Sequence, residues 1–186
     1  MLIIITGPSG VGKTTIIKSL LETDSNLRYS VSLTTRECRY NEHDGVDYHF
    51  ISTEEFKEKI AKDELAEWSE VYGKYYGRLK KDLDELSREF DVLVGIDVQG
   101  ALKLKKTHPY SVFIFILPNS ETALEQQLRG RGTDDESSIN TRLDSAIHEI
   151  EKADNFDYKV VNNTVGEAVK TIRAIIIAEK CRVKRC

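Results

Sequence analysis

Residues 7–14 read Gly7-Pro8-Ser9-Gly10-Val11-Gly12-Lys13-Thr14, directly after the apolar run Leu2-Ile3-Ile4-Ile5. The pattern is G-x-x-x-x-G-K-[ST], a P-loop, and its chemistry is phosphate binding. Gly7, Gly10 and Gly12 let the backbone curl, so the N–H groups of Ser9, Val11 and their neighbours turn inward onto phosphate oxygens. Lys13 reaches the β- and γ-phosphates of a nucleoside triphosphate, and the Thr14 hydroxyl is placed to ligate Mg²⁺. Thr15 continues into a stretch of helical spacing, which sets the phosphates at a helix N-terminus.

A second group of chemistry-bearing residues follows in a polar segment. Arg36 and Arg39 lie in Thr34-Thr35-Arg36-Glu37-Cys38-Arg39, Tyr48 in Asp47-Tyr48, and Tyr76 in Gly73-Lys74-Tyr75-Tyr76-Gly77. A guanidinium grips two phosphate oxygens at once, so two arginines and two phenols suit an acceptor phosphate. The spacing also fits a solvated arginine pair with tyrosines packed as strand residues. Further on, a Gly- and Asp-rich stretch, 130–138, with Arg129 before it and Arg131 inside it, reads as a short mobile lid, or as a plain surface loop.

Something must hold these groups in place. The apolar runs 2–5, 92–96 and 112–117 have the character of strands buried on both faces, as in a parallel sheet. Helical patterns at 14–23, 80–88, 98–106 and 122–128 separate or follow them, which predicts an α/β fold with helices on both faces. A fourth strand is expected at 157–161 and a closing helix at 168–178. Residues 31–78 break the alternation: strand-like pieces 48–52 and 66–72 flank a helix, 53–62, opened by Ser52 or Thr53. One domain over 1–186 is expected, with its core in 1–33 and 79–186, a β-rich acceptor insert over about 34–78, and the lid.

Composition narrows the class. With 186 residues, 40% of them hydrophobic, the chain can bury a sizeable core. Its 27 Lys and Arg against 31 Asp and Glu give a net charge of −4, which disfavours a general nucleic-acid or anionic-membrane binder. Three cysteines without a C-x-x-C pair suggest a reduced compartment. No segment reaches transmembrane length. The cytoplasm is the expected location.

Nearly the whole chain resembles the guanylate kinase family. After the P-loop come Ser30-Val31-Ser32-Leu33-Thr34-Thr35-Arg36, Asp44-Gly45-Val46-Asp47-Tyr48, Glu67-Trp68, Tyr75-Tyr76-Gly77, Ile96-Asp97-Val98-Gln99-Gly100, Gly130-Arg131-Gly132-Thr133 and Ile139-Asn140-Thr141-Arg142-Leu143, in matching order and spacing. The resemblance implies phosphoryl transfer from ATP, with Mg²⁺, to GMP or dGMP in purine nucleotide metabolism, in a monomer or homodimer. It assigns the GMP phosphate to Arg36, Arg39, Tyr48 and Tyr76, and the guanine to Ser32 and Glu67, with Asp97 nearby. It assigns Arg131 and Arg142 to the transferring phosphoryl group and Asn162 to the adenine side. Glu67 makes chemical sense there, because guanine offers N1–H and a 2-amino group to a carboxylate and adenine offers neither on that edge.

The chain departs from the family pattern at three positions. Arg78 stands where a Thr or Ser hydroxyl usually meets guanine, Gly95 where an acid is usual two residues before Asp97, and Gln127 where an Arg is common ahead of the lid. Arg78 has two readings at this stage. It donates to guanine O6 and N7, as arginine does in DNA, or it pairs with Glu67 or Asp97 and partly occupies the base pocket. The departures leave open a kinase for a different nucleotide acceptor. A different class is also open: a non-catalytic guanylate-kinase-like binding module, against which the intact Lys13 and Thr14 argue.

Overall fold

Strand β1 (Leu2–Thr6) is buried at all five positions and is the middle of a parallel sheet. The computed structural model describes residues 1–40, 42–130 and 136–183. In it β1 pairs on one side with β7 (Asp91–Gly95) and on the other with β8 (Val112–Pro118). The edges are β2 (Leu27–Tyr29) beside β7 and β9 (Tyr158–Asn162) beside β8, so the order is β2-β7-β1-β8-β9.

Because side chains alternate along a strand, each half of the apolar runs serves a different face. Ile3, Ile5, Leu93 and Ile114 pack with Ile16 and Leu20 of α1 (Lys13–Thr23) and Ile172 and Ile176 of α7 (Val165–Lys180). Leu2, Ile4, Val94 and Phe113 pack with Leu83 of α3 (Lys80–Glu89) and Ala101 and Leu104 of α4 (Val98–Thr107). Helices therefore cover both faces. A central strand with a loop at its carboxyl end places ligands in the crevice outside the strand ends, which is where the P-loop leaves β1.

A second sheet of four strands, ordered β4-β3-β6-β5, spans Ser32 to Leu79. β3 (Ser32–Thr34) runs parallel to β4 (Tyr48–Phe50) and antiparallel to β6 (Lys74–Leu79), which forms a hairpin with β5 (Leu65–Val71). Helix α2 (Thr53–Ala61) covers this sheet, with Phe56 against Leu33 and Leu65. Ser52 and Glu55 form a capping box at its start, which fixes the first turn.

Strands β2, β3 and β6 carry no clear sequence signal. Two of them are three residues long, too short for a period of two to show, and β6 holds a glycine and a buried arginine. The lid expected at 130–138 is described only at its ends. Gly130 closes α5 (Glu121–Arg129), and α6 (Glu136–Ile150) already includes 136–138 as helix. Residues 131–135, Arg131 among them, lie outside the described residues.

Candidate active site

The donor side is built from backbone. Gly7, Gly10 and Gly12 have φ of 142°, 91° and 92°, which other residues rarely adopt. A Cβ at Gly7 would fall 2.4 Å from the Ile116 carbonyl oxygen, so the loop has no room for a side chain there. Gly12 caps α1 with no side-chain acceptor, leaving first-turn N–H groups for an anion. Val11 is buried and contributes its backbone, whereas Ser9 is half-buried and Thr14 and Thr15 are exposed. The Lys13 ammonium arcs back over the loop and donates to the carbonyls of Gly7 at 2.6 Å and Pro8 at 3.0 Å. Asn162, expected at the adenine, donates from Nδ2 to the Val11 carbonyl at 2.9 Å, which braces the loop from β9, and its Oδ1 is buried without a hydrogen-bond partner.

The expected phosphate residues of the acceptor do come together. The Arg36 guanidinium lies 5.3 Å from the Tyr48 ring centroid, and the Tyr48 and Tyr76 rings meet edge-on at 6.0 Å. Sequence reasoning missed their organiser, Glu42. Its carboxylate receives two hydrogen bonds from Arg36, both 2.9 Å, and the backbone N–H of Arg39 at 3.0 Å. Burial opposes the charge of both Glu42 and Arg36, but their hydrogen bonds outweigh it: the Glu42 pKa is lowered and the Arg36 pKa raised. The spacing Arg36-x-x-Arg39-x-x-Glu42 is the signal that was available. Burial also raises the Tyr48 phenol, which stays protonated as a donor.

The expected base readers surround Arg78, which is fully buried. Its Nη2 donates to the Ser32 hydroxyl at 2.5 Å and reaches the Gly95 carbonyl at 3.5 Å. Its Nη1 lies 3.7 Å from Glu67, an ion pair too long for a hydrogen bond. Nε and Nη1 are buried without hydrogen-bond partners. Glu67 sits against the N-terminus of α4: a Cβ on Gly100 would come 3.0 Å from its Oε2. Among the described residues no hydrogen bond reaches its carboxylate. Burial pushes the Glu67 pKa up to about 7, with Arg78 pulling the other way and Asp97 adding to the rise. Asp97 itself caps α4 through the N–H groups of Gln99 and Gly100, at 2.9 and 3.0 Å, and accepts a short hydrogen bond from the Ser69 hydroxyl. Ser69 is a second residue that sequence reasoning missed.

Comparison with known proteins decides the family. The guanylate kinase family model matches residues 1–179. The chain belongs to the guanylate kinase family. A guanylate kinase of Clostridium perfringens strain SM101 is 50% identical over 186 residues, covering all of this chain and 86% of that protein. One of Carboxydothermus hydrogenoformans is 47% identical, covering all of this chain and 91% of that one. In fold the chain matches the crystal structure of guanylate kinase from Anaplasma phagocytophilum, with a TM-score of 0.80, 34% identity, and coverage of 98% of this chain and 87% of that one. These relatives lend no support to a different acceptor or a non-catalytic module.

Within a guanylate kinase frame, the geometry accounts for one departure. A Cβ on Gly95 would lie 2.7 Å from Ile17 Cδ1, 3.5 Å from the Tyr29 hydroxyl and 3.7 Å from its ring, so an acid there would have to displace the end of Ile17. Gln127 is exposed on α5, and nothing in the structure explains why it replaces an arginine. Arg142, on α6, places its guanidinium carbon 5.2 Å from the Tyr72 ring centroid.

Proposed function

We propose that this chain transfers the γ-phosphoryl group of ATP to GMP or dGMP, giving ADP and GDP or dGDP. One observation carries the reading beyond family membership. The acceptor sheet buries a carboxylate, Glu67, that is charge-paired with Arg78 but hydrogen-bonded to nothing among the described residues. Guanine supplies the two donors Glu67 lacks, N1–H and the 2-amino group. Its O6 and N7 supply acceptors for the unpartnered Nε and Nη1 of Arg78. Adenine has no proton on N1 and turns a 6-amino donor toward a guanidinium. Unpaired buried polar groups of this kind reject a wrong base by roughly 10⁴-fold.

Arg36, Arg39, Tyr48 and Tyr76 hold the GMP phosphate, with Glu42 fixing the Arg36 fork. A phosphate oxygen of GMP is already a nucleophile, so attack on the γ-phosphorus of ATP needs no side-chain base, and ADP leaves. Catalysis is then positioning and charge stabilisation. Lys13 exchanges its two loop carbonyls for β- and γ-phosphate oxygens, and Arg131 and Arg142 stabilise the transferring group. The glycine cradle and the exposed Thr14 hydroxyl fit Mg·ATP; the ion, when bound, neutralises phosphate charge. Asn162 braces the loop and lies on the adenine side of ATP.

No helix of the described residues is long and apolar enough to cross a membrane. We place the enzyme in the cytoplasm, as a monomer or homodimer, with nucleotides rather than nucleic acid or membrane as partners. A coupled assay of ADP release across GMP, dGMP, AMP, CMP and UMP tests the reading. Turnover with GMP and dGMP alone is expected. Equal turnover with AMP, or ADP release that ignores the acceptor, overturns it.

A further inference from the structure

The β5–β6 hairpin turns through only two residues, Tyr72 and Gly73, with φ of 50° and 71°. Both are in the left-handed region, the geometry of a type I′ turn, where Asn-Gly or Gly-Gly is the ordinary choice. A tyrosine at the first position carries backbone strain. Core packing does not offset it, since Tyr72 is 49% exposed. What the ring does meet is the guanidinium of Arg142, 5.2 Å from its centroid, on helix α6 of the other layer.

The rest of the hairpin gives that contact a meaning. Its strands carry Glu67 and Tyr76, the residues assigned above to the base and phosphate of GMP. Its base is tied to α4 by Ser69 on Asp97 and by Lys103, which donates to the Trp68 carbonyl at 2.8 Å and lies 4.6 Å from the Trp68 ring centroid. The tip reaches α6. The hairpin thus spans two helices of the core and joins the acceptor residues to a phosphate arginine.

We propose that Tyr72 is a positioning residue: its ring holds the Arg142 guanidinium and couples docking of the acceptor sheet to placement of that arginine for phosphoryl transfer. This rests on the kinase reading, and specifically on the role of Arg142. A face-on aromatic ring attracts a guanidinium while leaving its N–H edge available to phosphate oxygens. Removing the ring leaves substrates bound but the arginine less well held, so the effect falls on kcat.

Tyr72→Asn is the informative variant, because asparagine suits the turn and lacks the ring. We expect kcat to fall five- to tenfold, GMP and ATP KM to stay within twofold, and the melting temperature to hold or rise. Tyr72→Phe keeps the ring and should keep wild-type kcat. In an Arg142→Ala background, adding Tyr72→Asn should cause no further loss, since the two act as a unit. A Tyr72→Asn enzyme with wild-type kcat overturns the proposal, as does an equal extra loss in the Arg142→Ala background. Failure of the kinase reading itself would show in the wild-type protein of the same assay, not in the variant.

Discussion

At the P-loop, the site offered is main chain: glycines with positive φ and a helix start without a side-chain cap. Across the crevice, the acceptor sheet offers side chains, and these hold one another: Arg36 with Glu42, Arg78 with Ser32 and Glu67. The two solutions differ in what they allow to vary. A backbone cradle needs glycine wherever φ is positive or a Cβ would clash, so those positions admit little change. A site made of paired charges can be rewritten one residue at a time, and Arg78 and Gly95 are both on that side. The donor site is shaped by backbone conformation, and the acceptor site by paired charges.

That contrast can be broken first at its donor end. Lys13→Ala should lower phosphoryl transfer by about 10³-fold, the scale of losing one charge stabiliser of a transition state. Thermal unfolding should stay near wild type, because Lys13 contacts loop carbonyls and not the core. Retained turnover would sink the assignment.

On the acceptor side, Glu67→Gln should cost roughly 2–4 kcal/mol in GMP kcat/KM and leave ATP binding unchanged, because a donor then faces guanine's donors. The same residue gives a pH test. Its pKa, pushed up to about 7 by burial, means that it becomes protonated as pH falls through 7. GMP KM should therefore rise below pH 7 in wild type, and this limb should vanish in Glu67→Gln. Stability runs the other way. A carboxyl whose pKa is raised by folding favours the folded state most below its unfolded value near 4.5 and loses that contribution as pH climbs through 7. Melting curves of wild type and Glu67→Gln between pH 4.5 and 8 should converge at the acid end.

Arg78→Thr sharpens the comparison, because it asks whether the buried cation reads the base or competes for Glu67. Its two nitrogens without hydrogen-bond partners, Nε and Nη1, favour reading. GMP kcat/KM should then fall about tenfold, or about 1.4 kcal/mol, and the pH limb should move upward as Glu67 loses its counter-charge. A tenfold gain would show that Arg78 blocks the pocket. The smallest effect is expected at Gly95→Ala. The added methyl must displace the end of Ile17, 2.7 Å away, so we expect about 1 kcal/mol of destabilisation by overpacking and little change in GMP KM.

The three central strands of the parallel sheet were legible because they are apolar runs, and the P-loop because its spacing is dictated by phosphate geometry. The acceptor sheet was only partly legible. β3 and β6 owe their existence to each other and to α2, and their residues show no alternation of their own. Single residues fared likewise. The family pattern points to Glu67 as a base reader, but its company, the buried fork of Arg78, is a matter of tertiary placement. Glu42 was hidden for the same reason: a glutamate in a charged segment looks solvated until the fold sets it against two arginines. Asn162 shows the same limit: that its Nδ2 braces the Val11 carbonyl while its Oδ1 stays unpartnered is a matter of tertiary placement.

Asp97 belongs to both layers at once. One of its oxygens starts helix α4 by taking the N–H groups of Gln99 and Gly100, and the other takes the Ser69 hydroxyl from β5. If the acceptor sheet lifts, Asp97 loses the Ser69 hydroxyl from one oxygen while the other still holds the Gln99 and Gly100 N–H groups. Asp97 is thus the point at which a displacement of β5 would be felt in the first turn of α4.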